Sequence, residues 1–380
     1  MRPIFVYGTL QDGDVLSLVL GSQHTVKAVP ATLAGYGAYC QADSPYPALV
    51  VRSGGKADGH LLSDLDPEAH QRLCFFEEEF GYRLVPVEVD VAGTAMQADV
   101  FLPVKTPDVL KQIWTLENWI PEDKPLFLQM ASEVMALNGQ IPPGGLDSLL
   151  PGIFRRSLSR MRAEQRVNSP LIETDFNSDS VQLLRKENAY VGFFAFRKLE
   201  YNHLRFDGEQ SGPVQRELFV TGDAVTVLPW DPSTDNVLLV EQIRAGAIGR
   251  DDPYPWCLEP IAGICDRNES TEATARREAL EEAGLELGRV VQVSEYYTSP
   301  GALAEYTTSY IAEADLTDAG GIFGLASEQE DIRATVIPLE QALSAIDTGQ
   351  IRVAQLIVSL LALHRRKQEL QKLWGFTVAG

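Results

Sequence analysis

Residues 263–285 read GICDRNESTEATARREALEEAGL. A glycine-led loop runs into a helix predicted over 271–283. Ser270 or Thr271 serves as its N-cap, Glu272 sits in the favourable first turn, and Gly284 suits the residue that ends a helix. On this helix Glu278, Glu281 and Glu282 fall within one turn. Residues three and four apart are neighbours, and like charges at that spacing repel. Glu278 and Glu282 lie about 40° apart around the axis, with Glu281 on their flank. Ala279 and Leu280 are expected to face the core on either side. A divalent cation removes the repulsion, and hard cations such as Mg²⁺ take oxygen ligands, commonly one or two carboxylates plus substrate phosphates. Arg277 is placed to pair with a carboxylate and orient it. Taken alone, EALEE reads more readily as a solvated acidic helix face.

The wider spacing separates the two readings. Gly263, five residues, Glu269, seven residues, Arg277-Glu278, an aliphatic residue, one residue, Glu281-Glu282, one residue, Gly284 and an aliphatic residue reproduce the Nudix box without a departure. The region therefore resembles the Nudix hydrolase family. The resemblance runs over roughly residues 185–375 and is closest to bacterial ADP-ribose pyrophosphatases, with a layout similar to Nudix proteins associated with tellurite resistance. It is carried by Val214-Gln215-Arg216-Glu217, Val240-Glu241-Gln242-Ile243-Arg244, Trp256-Cys257-Leu258-Glu259-Pro260-Ile261-Ala262-Gly263, Thr298-Ser299-Pro300-Gly301, Glu305, and the loop at 324–333. Pro300 lies 15 residues beyond the box, a spacing that in this family goes with ADP-ribose. By the resemblance, Glu278, Glu282 and the carbonyl of Ala262 are metal ligands, and Glu281 is a ligand or its support. Arg216, Glu217, Arg244, Pro300 and Glu305 bind substrate, and Glu328 activates the attacking water. It implies Mg²⁺, with Mn²⁺ as the alternative, and a homodimer through this domain. It also implies ADP-ribose or a related nucleoside-diphosphate sugar as substrate. Cys257, Pro260 and Cys265 are mild departures around the box. Without the family, Arg216 and Arg244 read equally well as ion-pairing residues, and Glu328 as an ordinary loop carboxylate. An ADP-ribose-sensing binding protein is the reading from another class; an intact box argues against it.

The chain has 380 residues, room for two or three domains. Its formal net charge of −21 argues against non-specific binding to nucleic acid or anionic membrane. Cys40, Cys74, Cys257 and Cys265 form no CxxC pair, so neither a zinc site nor a disulfide framework is expected. MRPIFVYGTL lacks a signal-peptide layout and no apolar run is long enough to span a bilayer, so a cytoplasmic location is the expectation.

Residues 3–104 are strand-rich. Strands are predicted at 3–6, 32–39, 48–52, 59–62, 82–89 and 95–102, with a helix from Asp66-Pro67 through Phe76, which suggests a small α+β barrel-like domain. Phe5-Val6-Tyr7-Gly8-Thr9-Leu10 resembles the opening of the γ-glutamylcyclotransferase-like (AIG2-like) family, supported by 46–50, 59–61, Phe76-Glu77 and 82–87. In active members a turn of this kind offers backbone N–H groups to the substrate carboxylate, which places Tyr7, Gly8, Thr9 and Leu10 in binding. A single glutamate takes a proton from the α-amine, which attacks the γ-carbonyl and releases 5-oxoproline. The resemblance puts that role on Glu77. Glu78 and Glu79 follow at once, so a register shift of one stays open, as does use of the fold without turnover.

Between the two regions, helices are predicted at 108–119, 125–137 and 149–164, the last carrying Arg155, Arg156, Arg160 and Arg162 on what reads as a solvated face. Residues 168–180 form the best linker candidate. Strands are predicted at 190–199, 224–229, 237–243, 290–297, 307–313 and 332–338, with a tail helix burying Val353, Leu356, Ile357, Leu360 and Leu361. The expected plan is α+β followed by α/β: a γ-glutamylcyclotransferase-like barrel at 1–105, a helical connector and linker at 106–180, and a Nudix α/β/α sandwich at 181–380.

Overall fold

The computed structural model describes residues 1–376 apart from 22, 43, 166–175 and 267–268. The linker candidate at 168–180 lies outside the described residues up to 175; Ser178–Ser180 forms a short 3-10 turn. Two compact units emerge, Met1–Asn168 and Ser169–Gly380. Among the described residues no helix is long and apolar enough to cross a membrane.

The first unit contains β1 (Ile4–Val6), α1 (Gly13–Leu20), β2 (Lys27–Gln41), β3 (Pro47–Ser63), α2 (Pro67–Glu79), β4 (Tyr82–Val91), β5 (Thr94–Pro103), β6 (Val109–Ile113), α3 (Leu116–Glu122), α4 (Lys124–Met135) and α5 (Leu150–Glu164). The strand order is β3-β1-β5-β4-β2-β6, and β2 also pairs with β3, so five strands close into a barrel with β6 added outside. Closure leaves those five strands without a free edge. Phe5, Tyr7, Leu33, Leu61 and Val100 fill it. Asp66 caps α2, accepting from the Ala69 N–H at 2.9 Å, with Pro67 in the first turn, where its missing N–H costs nothing.

Several expectations change. The strands foreseen at 48–52 and 59–62 are one continuous β3. The helix foreseen at 108–119 divides into β6 and α3. Val109 and Ile113 are β-branched and find partners on β2, at Gln41 and Tyr39. The arginine row of α5 is not a solvated face. Arg156 is 1% exposed and its Nε donates to Glu133 of α4 at 2.6 Å. Arg160 reaches the other oxygen of Glu133 at 2.9 Å. A charge run counts as solvated only until a buried counter-charge faces it.

The second unit contains β7 (Val181–Val191), β8 (Ala195–His203), β9 (Val214–Val220), β10 (Ala224–Asp231), β11 (Asn236–Ile243), α6 (Ala245–Gly249), β12 (Trp256–Glu259), β13 (Ile261–Ile264), α7 (Thr271–Ala283), β14 (Val290–Tyr297), β15 (Leu303–Ala304), β16 (Tyr306–Glu313), β17 (Gly321–Phe323), β18 (Ile332–Pro338), α8 (Leu339–Asp347) and α9 (Ala354–Leu373). The main sheet runs β14-β16-β10-β11-β18-β17, with β12 on β11 and β13 on β10. One face packs on α7 through Val225, Val227, Ala275 and Ala279. The other packs on α8 and α9 through Leu228, Trp230, Ala342, Leu356 and Leu360. The alternation along β10 sends successive side chains to opposite helical layers, which makes an α/β/α sandwich. Strands β15, β9, β8 and β7 form a separate four-stranded sheet. The strand foreseen at 190–199 is a hairpin: the Gly192 N–H donates to the Phe194 carbonyl at 2.8 Å, turning β7 into β8 inside an apolar run. Leu361 is exposed at 51%, and Leu363 takes the buried place foreseen for it.

Candidate functional site

Helix α7 is bounded as its sequence requires. Ser270 accepts from the Ala273 N–H at 3.1 Å, and Gly284 ends the helix in the left-handed region at φ 62°. Ala279 is fully buried, whereas Leu280 is 57% exposed and does not face the core. The buried side of α7 carries Glu282, only 2% exposed, toward β13. There its Oε2 accepts from the Ala262 N–H at 3.1 Å.

Glu278 approaches the same strand one residue further on. A Cβ added to Gly263 would lie 1.8 Å from Glu278 Oε1. The first glycine of the motif is therefore the empty space into which the carboxylate fits. Arg277 fastens the cluster. Its Nη1 donates to Glu278 Oε1 at 2.7 Å and to Glu281 Oε2 at 2.9 Å. Its Nε and Nη2 grip Glu269 at 2.9 and 3.1 Å, a fork on a carboxylate. Thr274 also donates to Glu269, at 3.0 Å.

Burial pushes the Glu278 carboxyl up to about 7, against the pull of Arg277. Burial likewise pushes Glu282 up to about 8, opposed by the Ala262 N–H and aided by Glu278 and Glu330. Desolvation is the leading cause in both, so each carboxyl holds its proton closer to neutrality than an exposed glutamate does. Among the described residues no three acidic, histidine or cysteine side chains stand as a ready cation cage; Arg277 bridges Glu278 and Glu281 instead. The donor set still fits a hard divalent cation. It offers more carboxylate charge than the one guanidinium of Arg277 balances once deprotonated, beside a backbone left bare by Gly263.

The other foreseen residues fall in separate places. Arg244 precedes α6 and pairs with Glu259 of β12, Nε to Oε2 at 2.7 Å. Its charge also acts on Glu282. Glu305 accepts from Thr221 at 3.2 Å and Thr298 at 3.1 Å, and burial raises its pKa. Pro300 is exposed in the turn between β14 and β15. Arg216 and Glu217 lie on β9, in the four-stranded sheet, paired in register with Leu199 and Lys198. Among the described residues neither bonds to the carboxylate cluster; the Arg216 Nη1 donates to the Gln215 carbonyl at 2.7 Å. Glu328 ends the 3-10 turn Ala326–Glu328 with an exposed side chain. The loop carboxylate whose field reaches both Glu278 and Glu282 is Glu330, held by the Leu325 N–H at 3.2 Å. Sequence reasoning missed Glu330 and Glu259. The acidic run at 328–331 offers several carboxylates with nothing local to choose among them, and Glu259 meets Arg244 only through the β11–β12 register.

The first unit holds its own pocket, a cavity of about 50 Å³ against the opening turn. Residues Val6–Leu10 bound one side, and Glu77 reaches in from α2 among aromatic rings. A Cβ on Gly8 would come within 2.9 Å of Pro47 Cγ, so only glycine lets the turn close on β3. Thr9 and Leu10 open a 3-10 turn, and the first amides of such a turn have no partner within it. The three glutamates at the end of α2 now separate. Glu77 lines the cavity. Glu78 is exposed. Glu79 is buried and accepts from the Gly144 and Leu146 N–H groups at 2.9 and 3.0 Å, which pins the loop between α4 and α5. Burial alone pushes Glu77 up to about 7. Tyr7 is raised by burial, then by Tyr82 and Glu77; its hydroxyl donates to the Phe101 carbonyl at 3.1 Å.

Comparison with known proteins finds a family for each unit. The family "Gamma-glutamyl cyclotransferase, AIG2-like" matches residues 4–120, and the NUDIX domain matches 220–357. An ADP-ribose pyrophosphatase of Escherichia coli (strain K12) is 40% identical over 200 residues, covering 53% of this chain and 95% of that protein. One from Haemophilus influenzae is 36% identical, covering 52% and 93%. A GDP-mannose pyrophosphatase of Citrobacter koseri is 32% identical, covering 49% and 96%. The chain belongs to the Nudix hydrolase family through its second unit and carries an AIG2-like γ-glutamyl cyclotransferase domain in its first.

Proposed function

We propose that the second unit hydrolyses the pyrophosphate of ADP-ribose, giving AMP and ribose 5-phosphate, with Mg²⁺ held by Glu278, Glu282 and the Ala262 carbonyl and supported by Glu281. The observation that carries this reading is the pair of carboxylates, Glu282 buried and Glu278 half-buried, docked against Ala262 and Gly263. Bound Mg²⁺, or Mn²⁺ in its place, neutralises phosphate oxygens and lowers the pKa of the attacking water. The chain's own residues do the rest. Arg277 orients Glu278 and Glu281. Arg244 and Arg216 bind phosphate or stack on adenine, as a planar guanidinium does. Glu217, Pro300 and Glu305 complete the substrate contacts, and Glu328 takes the proton of the attacking water. The relatives named for ADP-ribose are more similar than the one named for GDP-mannose, which favours ADP-ribose over other nucleoside-diphosphate sugars. The functional form is a cytoplasmic homodimer built through the second unit. Supporting it, the four-stranded sheet exposes Leu183, Tyr190, Phe193 and Phe219 at 54, 66, 61 and 40%, apolar surface of the kind a partner covers. A partner would also bring Arg216 to a carboxylate cluster that it does not touch within its own chain.

The test is a panel of ADP-ribose, GDP-mannose and other nucleoside-diphosphate sugars ranked by kcat/KM, with and without chelator. ADP-ribose leads the ranking, and EDTA abolishes turnover until Mg²⁺ is restored. Faster turnover of GDP-mannose, or activity that survives chelation, overturns the corresponding part. A monomer in light scattering with full activity overturns the dimer.

A second reading belongs to the first unit. Glu77, a lone carboxylate in an apolar pocket beside a turn with free amides, is suited to be the general base of γ-glutamyl cyclotransfer. Release of 5-oxoproline from a γ-glutamyl amide, lost in Glu77→Gln, tests it; no product from any such compound refutes turnover.

A further inference from the structure

The cyclotransferase family match ends at residue 120, yet the wall of the first-unit pocket does not. Phe127 of α4, 4% exposed, lines the cavity. Its ring stands 5.0 Å from Tyr46 and 6.0 Å from Phe76 by centroid, and Trp119 backs it at 5.3 Å. Two contacts fix this wall relative to Glu77. Glu79, on the same turn of α2, holds the 144–146 loop that follows α4. The Tyr46 hydroxyl reaches Met130 Sδ of α4 at 3.8 Å. Among the described residues, the lining holds no charged side chain apart from Glu77. A second anionic group on a bound molecule would therefore be buried without a partner, which is costly.

We propose that the helical extension after the barrel sets the substrate range of this pocket, with Phe127 as its specificity-determining residue, and restricts it to γ-glutamyl amides of small, uncharged amines; this rests on the cyclotransfer reading of Glu77. The step balances without a co-reactant. The α-amine passes a proton to Glu77 and its nitrogen bonds to the γ-carbonyl carbon. The bond from that carbon to the leaving nitrogen breaks, and the proton returns to the departing amine. The ring of Phe127 limits the space left for that amine.

The experiment uses the full chain and three probes: γ-glutamyl methylamide, γ-glutamyl benzylamide and γ-glutamylglycine. Wild type, Phe127→Leu and Phe127→Ala are compared by 5-oxoproline release. The readout is the ratio of kcat/KM between two probes, which does not depend on the fraction of folded enzyme. Wild type prefers the methylamide over both other probes. The benzylamide-to-methylamide ratio rises at least about 10-fold in Phe127→Ala and less in Phe127→Leu. Turnover with a ratio unchanged within about twofold overturns the wall and leaves the cyclotransfer reading standing. Wild type that favours γ-glutamylglycine overturns the exclusion of charge. Calorimetric binding of the same probes separates the two readings. Size-selective binding that relaxes in Phe127→Ala without any turnover upholds the wall and refutes the chemistry. No binding of any probe refutes both.

Discussion

The two sites use the same group in opposite surroundings. Glu282, buried, and Glu278, half-buried, sit among charges: Arg277, Arg244, Glu281 and Glu330 all act on one or both of them. Glu77 is half-buried among rings, and desolvation alone raises it. A carboxylate crowded by like charge is stabilised when a cation replaces its proton. A solitary carboxylate in an apolar pocket has no such competitor for the proton, and it suits a proton that is taken and returned. Similar pKa values therefore do not mean similar chemistry; the second charge nearby decides.

The largest effect that breaks this comparison is at Glu282. Replacing it with Gln lowers ADP-ribose hydrolysis roughly 10³-fold, by loss of a metal ligand worth several kcal/mol, and leaves the first-unit pocket untouched. Unchanged hydrolysis in saturating Mg²⁺ removes the metal assignment. Gly263→Ala comes next. Its methyl occupies the place of Glu278 Oε1, so activity falls about 10²-fold while the circular dichroism spectrum is kept; wild-type rates would show that Glu278 has another position to work from. The acidic loop gives a finer division. Glu328→Gln lowers kcat by about 10²-fold or more if it is the base. Glu330→Gln acts through its neighbours, by about 10-fold with a shifted Mg²⁺ dependence. The reverse order moves the base to Glu330.

The remaining effect is in stability and sharpens the other half of the comparison. The pKa of Glu77 stands above its ordinary 4.5, at about 7, so the native chain holds a proton that the unfolded chain releases. That stability is present below pH 4.5 and is lost as the pH rises through about 7. Glu77→Gln is therefore more stable than wild type at pH 8 by on the order of 3 kcal/mol, and the gap closes toward pH 4.5. Melting curves of both proteins between pH 4.5 and 8 measure it, and a gap independent of pH would show that Glu77 is not buried as described.

What the sequence alone determined is local and covalently close: the helix of 271–283 with its Ser270 cap and Gly284 end, the carboxylate row upon it, the Gly8 turn, and several strands of each unit such as β4, β5, β10 and β11. Each follows from spacing along one element, where the side-chain period is fixed by the backbone. Tertiary structure alone decided what depends on register between elements. It separated Glu77 from Glu78 and Glu79: only Glu77 lines the pocket, Glu78 is exposed, and Glu79 is taken up by the 144–146 loop. It drew Glu330 toward Glu278 and Glu282, and Glu259 to Arg244. It turned two of the apparently solvated arginines of α5, Arg156 and Arg160, onto Glu133, and it made a helix beyond the family's boundary into a wall of the pocket. In residues 263–285 the two levels meet: the sequence shows a glycine and a glutamate fifteen positions apart, and only the packed fold shows that the carboxylate stands where a side chain on that glycine would be.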